Sequence, residues 1–224
     1  MSNLLLERSA QMGRHSLLPK EYQQVEYIES TGTQWIDLGI RGNSEYSYEL
    51  TYQMTSKMVG AIFGCRNQST YYSGPTFGYS YTNVPTTATV AYSGISKGQG
   101  SQGINIIGSW QGANNLQKHT VSFSPTVGIV LLDNTPPTHW YAMSPAFETD
   151  YNLYLFCNNV AGTKPSPQKM KFYQLTIRSA SGKLLNNFVP CYRKSDGVIG
   201  LFDSGTRRFL VNDGTGQFIK HDIF

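Results

Sequence analysis

The sequence predicts an all-β protein built as an antiparallel sandwich, and three observations support this class. Short apolar stretches recur along the 224 residues and are separated by turns that contain Gly, Asn or Asp. The composition favours strands and turns, with 15 Tyr and 22 Gly. No stretch shows the 3.6-residue periodicity of a helix longer than two turns. One domain of this length is typical of large sandwiches.

The N-terminal segment differs in character from the rest of the chain. Met1–Leu18 carries three consecutive leucines, Leu4–Leu6, among polar residues, and Pro19 follows it. We expect residues 1–18 to be an arm or short helix outside a sandwich that occupies residues 19–224. Both a frayed terminus and an anchor that becomes ordered on a partner fit this pattern. Glu7 interrupts the leucines before a signal-peptide core is complete, so we expect synthesis without a Sec-type signal and without membrane insertion.

From Tyr22 onward the apolar residues follow the two-residue period of strands. The segment from Glu45 to Gln53 alternates most regularly, with Tyr46, Tyr48, Leu50 and Tyr52 on one face and polar residues on the other. In Lys169–Arg178 the apolar phase slips by one residue, which predicts a β-bulge. Further strands are expected at QQVEYIES, TQWIDLGI, VGAIFGC, TFGYSYTN, TATVAYS, HTVSF, GIVLLD and NLYLFC.

Charge and cysteine content exclude several classes of protein. Charged residues make up 14% of the chain and the net charge is +4, with the basic residues spread thinly. A nucleic-acid groove would require a denser basic stripe, so no nucleic-acid partner is expected. The three cysteines are far apart and show no C-x-x-C spacing, which disfavours a zinc site or a disulfide framework. We expect buried, reduced thiols, and the sequence leaves open one disulfide between two of them.

No catalytic constellation stands out. Glycan hydrolysis needs two carboxyl groups about 5–5.5 Å or 6.5–9.5 Å apart, but no E-x-D-x-E run exists. Glu26 and Glu29 are expected on opposite faces of their strand. There is no G-x-S-x-G nucleophile motif and no H-x-x-x-H pair. His119 is expected to be a hydrogen-bonded histidine on an edge strand. Gly98–Gly103 matches G-x-G-x-x-G, but a strand-like stretch follows it, so a loop is expected.

Aromatic residues in expected loops are the positive functional signal. Tyr and Trp rings stack on the C–H faces of sugars, and loop tips are where sandwiches place binding residues. The candidate ligand-binding residues are Tyr71, Tyr72, His139, Trp140 and Tyr141. The competing interpretation is that these rings fold back onto the core.

Two stretches carry a resemblance to a known family. LPKEYQQVEYIESTGTQWIDLGI (Leu18–Ile40) resembles the opening of a concanavalin A-like, laminin-G-like jelly-roll domain that occurs in phage and prophage virion proteins. The ending, Asn187–Phe218, with FVPCYRKSDGVIGLFD and NDGTGQF, resembles the close of the same domain. The middle of the chain fits this family by pattern only.

The resemblance implies a two-sheet jelly roll that is displayed on a capsid, head fibre or tail fibre. It implies decoration of the particle or binding of a host-surface polysaccharide. The family has no shared catalytic motif, so the resemblance implies no catalytic residue in this chain. Asp37, Gly39, Asp203 and Gly216 are then expected at turns and strand ends. No cofactor is implied, and no acidic loop offers the several oxygen ligands that calcium takes.

The leading hypothesis is therefore a non-enzymatic bacteriophage virion protein, localised to the particle and attached to other virion proteins through its N-terminal arm. A homo-oligomeric assembly is compatible with it. One alternative is a glycan-hydrolysing enzyme on the same fold, for which Glu45, Glu49, Glu148 and Asp150 are the acids to test. The other is a free-standing bacterial lectin or adhesin.

Overall fold

The chain folds as a β-sandwich, and all its regular elements are strands within the part that the structure describes. This structure is a computed structural model. It describes residues 18–43, 45–57, 59–67, 73–79, 88–91, 94–95, 108–111, 115–124, 129–136, 139–140, 148–164 and 166–223. The all-β prediction is confirmed at the level of a two-sheet sandwich. Tyr71, Tyr72, Tyr141, the G-x-G-x-x-G match and residues 1–17 of the expected arm lie outside the described residues.

The strands are short and numerous. In chain order they are β1 (Tyr22–Thr31), β2 (Ile36–Asn43), β3 (Ser47–Met54), β4 (Gly60–Arg66), β5 (Ser73–Gly74), β6 (Thr76–Tyr79), β7 (Ala88–Ala91), β8 (Gly94–Ile95), β9 (Gly108–Gln111), β10 (Lys118–Ser124), β11 (Ile129–Leu132), β12 (His139–Trp140), β13 (Glu148–Leu155), β14 (Asn159–Val160), β15 (Lys169–Arg178), β16 (Leu184–Arg193), β17 (Ile199–Asp203), β18 (Arg208–Val211) and β19 (Ile219–Asp222).

Two large sheets form the layers of the sandwich. The larger has nine strands in the order β11-β10-β3-β15-β1-β16-β17-β18, and β19 adds to β1. The smaller has five strands in the order β14-β4-β13-β2, and β6 adds to β4. Pairing is antiparallel except between β14 and β4. Two small sheets, β12-β9-β7 and β5-β8, complete the described strands. The first strand thus lies at the centre of the larger sheet, beside strands from the end of the chain.

The regular alternation in β3 is confirmed. Tyr48, Leu50 and Tyr52 are at most 1% exposed and form part of the core, and Tyr46 packs against them. The polar residues between them face outward. Alternation of this kind arises because successive side chains of a strand point to opposite faces of its sheet.

The predicted bulge is also confirmed, and it falls at Tyr173. Along β15 and β3, Phe172 pairs with Tyr52 and Gln174 pairs with Thr51, so Tyr173 is the extra residue. Phe172 and Leu175 on either side are fully buried, whereas Tyr173 is directed to the outer face. A bulge changes the face to which the following side chains point.

A second bulge, which the sequence pattern did not indicate, corrects one expectation. In the pairing of β1 with β19, Val25 lies opposite Asp222 and Tyr27 opposite His221, so Glu26 is the extra residue. Glu26 and Glu29 were expected on opposite faces. Both lie on the outer face, where their charges act on the Tyr173 hydroxyl.

The main core is an aromatic-rich cluster with contributions from both sheets. The hydroxyl groups of Tyr52 in the larger sheet and Tyr79 in the smaller sheet lie 2.6 Å apart and form a hydrogen bond. Each phenol is at most 1% exposed, and burial raises the pKa of both. The bond satisfies two polar groups that would otherwise be buried without a partner, and it links the two layers.

The three cysteines are buried and unpaired, as expected. Cys65 lies in β4 and Cys191 in β16, and Cys157 follows the end of β13. Burial raises the pKa of each thiol to about 12. Leu18, which was assigned to the arm, is 7% exposed and packs in a small cluster with Val189, Cys191 and Phe202. The described chain therefore already contacts the sandwich at Leu18.

His119 is hydrogen-bonded as expected, but it does not lie on an edge strand, because β10 has β3 on one side and β11 on the other. Its Nδ1 lies 2.6 Å from Asp133 Oδ2 and its Nε2 lies 2.9 Å from Asn115 Oδ1. The buried ring therefore holds two surface segments onto the larger sheet.

Asp203 provides a test of how the strand ends are stabilised. Its carboxylate is 2% exposed and accepts hydrogen bonds from Asn186 Nδ2, Thr206 Oγ1 and the N–H groups of Asn187 and Gly205, at 2.6 to 2.9 Å. Burial alone would raise its pKa, but these bonds together lower the pKa below its ordinary value. We expect Asp203→Asn to lower the free energy of unfolding at pH 7 by about 1–3 kcal/mol.

The sign of the pH dependence follows from the lowered pKa. The carboxylate stabilises the fold above its unfolded pKa of about 3.9, and that contribution is lost as pH falls through the folded pKa. The difference between parent and Asp203→Asn should therefore shrink at about pH 3, which urea denaturation at both pH values measures. The exposed Asp150→Asn should change stability by less than about 0.5 kcal/mol. Equal stability of Asp203→Asn and parent at pH 7 would contradict this role.

Candidate functional site

A short ladder of backbone hydrogen bonds joins a segment near the start of the described chain to a loop near its end. The loop of residues 212–217 lies along residues 33–37: the Asp213 N–H donates to the Trp35 carbonyl at 2.8 Å, and the Thr215 N–H donates to the Thr33 carbonyl at 3.2 Å. Asn212 Oδ1 accepts hydrogen bonds from the N–H groups of Trp35 and Gly214. The loop therefore has a fixed position beside the start of β2.

A glycine permits the close approach of this loop. A Cβ atom on Gly214 would lie 2.1 Å from the carbonyl oxygen of Thr33 and 2.9 Å from Cδ1 of Trp35. A side chain at this position would force the two backbones apart. The NDGTGQF motif thus has the residue that its contact with TGTQW requires.

Strand alternation in β2 and β13 places a set of polar and aromatic side chains on the outer face of the smaller sheet. Ile36 and Leu38 point into the core, so Asp37 between them points outward. In β13, Asn152 and Tyr154 point outward, and Tyr154 lies opposite Asp37 in the register. The loop adds Asp213. We call Trp35, Asp37, Asn152, Tyr154 and Asp213 the aromatic–carboxylate face.

Two rings form the aromatic part of this face. The ring centroids of Trp35 and Tyr154 are 4.4 Å apart with an angle of 43° between the planes. Both side chains are half-buried. The Trp35 indole nitrogen is buried and has no hydrogen-bond partner among the described residues, although Trp N–H groups usually find one. Because each side chain is only half-buried, part of the ring pair is accessible.

The two carboxylates are held by nearby donors. Asp37 Oδ1 accepts from the Gly39 N–H at 2.7 Å and Asp37 Oδ2 accepts from Asn152 Nδ2 at 3.2 Å. Asp213 Oδ2 accepts from the Asp37 N–H at 2.8 Å. Partial desolvation raises the pKa of Asp213. The Asp37 N–H opposes this shift and the charge of Asp37 adds to it, so the pKa stays raised although the residue is exposed. Asp213 therefore binds a proton more readily than an isolated aspartate does.

A guanidinium group lies beside Gly39. Gly39 has a φ of +67°, and the site where its Cβ would lie is 3.1 Å from Nη1 of Arg208. Arg208 belongs to β18 of the larger sheet, so both layers of the sandwich contribute to this region. The arrangement combines ring surfaces with acceptors, amide donors and a cation. Ring faces can stack on the C–H faces of a sugar while the polar groups take its hydroxyls.

The residues predicted from the sequence as ligand-binding belong to other segments of the chain. His139 and Trp140 were expected in a loop, but their backbone forms the two-residue strand β12, which pairs with Ser109 and Gly108 of β9. Tyr71, Tyr72 and Tyr141 lie outside the described residues, so their role stays a prediction. The face was missed because Asp37 was assigned to a strand end and Trp35 to an ordinary strand. The alternation of TQWIDLGI could have shown that Trp35 and Asp37 share a face.

The acids named for the hydrolase alternative lie in two different sheets. Glu45 precedes β3 and Glu49 lies within it in the larger sheet, whereas Glu148 and Asp150 lie on β13 in the smaller sheet. All four side chains are exposed. Among the described residues, no group of three His, Cys, Asp or Glu side chains is placed to hold a metal ion.

No protein-family model, curated protein or solved structure matches the chain. Within the described residues, no helix has the length and apolar character needed to cross a membrane.

The acid pair can be tested directly. We expect Asp37→Asn to lower the pKa of Asp213, because it removes the neighbouring negative charge. A titration of the side-chain carboxyl signals by ¹³C NMR measures the shift. The exposed Asp150→Asn is the control and should leave Asp213 unchanged. An unaltered Asp213 titration in Asp37→Asn would show that the two charges do not interact.

Proposed function

We propose that the chain is a non-enzymatic bacteriophage virion module that binds host-surface glycans through the aromatic–carboxylate face. The observation that carries the binding part is the half-buried Trp35–Tyr154 ring pair, 4.4 Å between centroids, with Asp37, Asn152 and Asp213 beside it. Small-molecule sites typically combine apolar surface with a few placed polar groups. Fixed acceptors near exposed ring surface suit a sugar better than they suit a purely apolar ligand.

The virion part of the proposal is supported by the resemblance of Leu18–Ile40 and Asn187–Phe218 to the two ends of a phage jelly-roll domain. In the folded chain these two stretches contact each other through β1, β16 and the loop of residues 212–217. We extend the proposal to the winding of the sandwich as a jelly roll. Return of the last strands to the first is what such a winding requires.

Attachment to the particle is proposed to involve the N-terminal segment. Leu18, the position at which the N-terminal segment joins the described chain, is buried on the outer side of β16 and β17. This position lies on the larger sheet, whereas the aromatic–carboxylate face belongs mainly to the smaller sheet. Attachment at one layer would leave the glycan-binding face available.

A glycan array identifies ligands for the purified protein, and substitution of one ring then tests the site. We expect Trp35→Ala to weaken binding of the selected glycan about tenfold or more, which corresponds to about 1.4 kcal/mol. Trp35→Phe keeps a ring and should retain most of the affinity. Both variants are compared by calorimetry after their folding is checked by circular dichroism. Unchanged affinity of a folded Trp35→Ala for the same glycan would show that the ligand binds elsewhere.

A second candidate function, glycan hydrolysis, is favoured by the closeness of two acids: Asp213 Oδ2 accepts a hydrogen bond from the Asp37 N–H at 2.8 Å, and the charge of Asp37 contributes to the raised pKa of Asp213. A general acid with a raised pKa and a neighbouring ionised acid is the arrangement that such hydrolysis uses.

The hydrolase candidate predicts turnover that depends on this pair. Reducing-end release from bacterial polysaccharides should be detectable for the parent and should fall about 100-fold or more in Asp213→Asn. Glu148→Gln, which removes an exposed acid away from this pair, is the control and should leave the rate unchanged. If the parent releases no reducing ends from the glycans that it binds, the hydrolase candidate is rejected and the binding function stands.

A further inference from the structure

The outer face of the larger sheet carries a second group of aromatic residues, placed there by the two bulges. The bulge at Tyr173 in β15 and the bulge at Glu26 in β1 lie on adjacent strands. Tyr173 and Tyr27 consequently meet on the outer face with their ring centroids 5.5 Å apart. Bulges that redirect side chains are enriched next to binding and catalytic sites.

The neighbouring strands extend this pair into a row. His221 of β19 stacks on Tyr27, with centroids 5.1 Å apart and planes at 19°. On the other side the Tyr173 hydroxyl donates to Gln53 Oε1 at 3.0 Å. The Gln53 amide in turn donates to the Leu116 carbonyl at 2.9 Å. The row crosses β10, β3, β15, β1 and β19, which at about 4.8 Å per strand gives a surface about 20 Å long.

Two lysines cover the rings of this row. Lys118 Nζ lies 3.7 Å from the centre of the Tyr173 ring, and Lys171 Nζ lies 4.4 Å from the centre of the Tyr27 ring. Neither ammonium forms an ion pair with a carboxylate in the part of the chain that the structure describes. We call Tyr27, Tyr173, His221, Lys118 and Lys171 the cationic ring row. A cation on a ring face keeps N–H donors that are directed away from the ring.

Two acids, Glu26 and Glu29, lie near the row. Glu26 Oε2 lies 3.3 Å from His221 Nδ1, and Glu29 is opposite Lys171 in the pairing of β1 with β15. Lys220 at the end of the row is paired with Asp222 at 2.6 Å. Among the described residues, the ammonium groups of Lys118 and Lys171 therefore form no ion pair.

We propose that the cationic ring row is a second binding site, and that it takes a linear polysaccharide bearing carboxylate groups. The two ammonium groups would each meet a sugar carboxylate, while Gln53 and the Tyr hydroxyl groups would hydrogen-bond the sugar hydroxyls. The site differs in chemistry from the aromatic–carboxylate face. Lysines occupy the ring faces here, so a neutral sugar cannot stack on them without displacing a cation.

The covered ring faces favour this occupant over a nucleic acid. Single-stranded nucleic acids bind by stacking their bases on open aromatic rings, but Lys118 lies over the Tyr173 ring and Lys171 lies over the Tyr27 ring. A carboxylated polysaccharide needs no open ring face, because its carboxylates can bind the ammonium groups and its hydroxyls can bind amide and phenol groups. The proposal concerns a different face from the proposed glycan site and stands independently of it.

Polygalacturonate and its methyl ester form a matched pair of probes, because they share a backbone and differ in carboxylate charge. We expect the full chain to bind polygalacturonate in calorimetry at low salt, to bind the ester at least tenfold more weakly, and to lose affinity between 50 and 200 mM NaCl, roughly as ion-pair binding does. The double variant Lys118→Gln/Lys171→Gln should bind polygalacturonate at least tenfold more weakly. Lys118→Arg/Lys171→Arg keeps both charges and should retain binding.

Control variants separate this site from total charge and from the first site. Lys164→Gln/Lys183→Gln makes the same change in net charge at exposed positions away from the row and should bind as the parent does. Trp35→Ala should also bind polygalacturonate as the parent does, even if it has lost the array-selected glycan. Loss of one phenotype without the other assigns each ligand to its own face.

Three outcomes would overturn the proposal. These are no binding of polygalacturonate at low salt, equal binding of the acid and its ester, or equal binding by Lys118→Gln/Lys171→Gln and Lys164→Gln/Lys183→Gln. A single-stranded oligonucleotide that binds more tightly than polygalacturonate, with the same dependence on Lys118 and Lys171, would reassign the row to nucleic acid.

Discussion

The rest of the structure depends on the ladder that joins residues 33–37 to the loop of residues 212–217. The hydrogen bonds of this ladder connect positions 176 to 183 residues apart in the chain. They hold the last loop against β2, where it contributes Asp213 to the outer face of the smaller sheet. The same closure brings β19 onto β1, and β19 supplies His221 to the outer face of the larger sheet. Both candidate binding faces thus require the two ends of the chain to meet.

This closure also shapes how the fold must form. The first strand of the described chain occupies the centre of the larger sheet and pairs with β15, β16 and β19, all from the last third of the chain. Most of the stabilising contacts are therefore non-local. Folds dominated by such contacts fold slowly, because the entropy of closing a long loop is lost before the contacts form. The buried hydrogen bond between Tyr52 and Tyr79 adds a polar requirement to the docking of the two layers.

Local pattern was enough to predict much of the sandwich but little of either site. Two features follow from residues that are close together in the sequence: the alternation of Tyr48, Leu50 and Tyr52, and the phase slip at Tyr173. The structure confirms both. The bulge at Glu26 has no such signature, because a strand of mixed polarity can take one extra residue without a visible slip. Neither face follows from local pattern, because Asp37 and Asp213, or Tyr27 and Tyr173, become neighbours only through long-range pairing. The aromatic residues predicted to bind a ligand were chosen by residue type and expected loop position, without knowledge of these pairings.

The three buried thiols have a consequence for the covalent state of the protein. Thiolates, rather than thiols, react with oxidants and disulfides. Cys65, Cys157 and Cys191 each have a pKa raised to about 12, and all three are buried. At neutral pH almost no thiolate forms, and no sulfur is open to a reagent. The folded chain should therefore keep one chemical form in reducing and in oxidising surroundings, so a change of redox environment after folding would leave both the sandwich and its outer faces as they are.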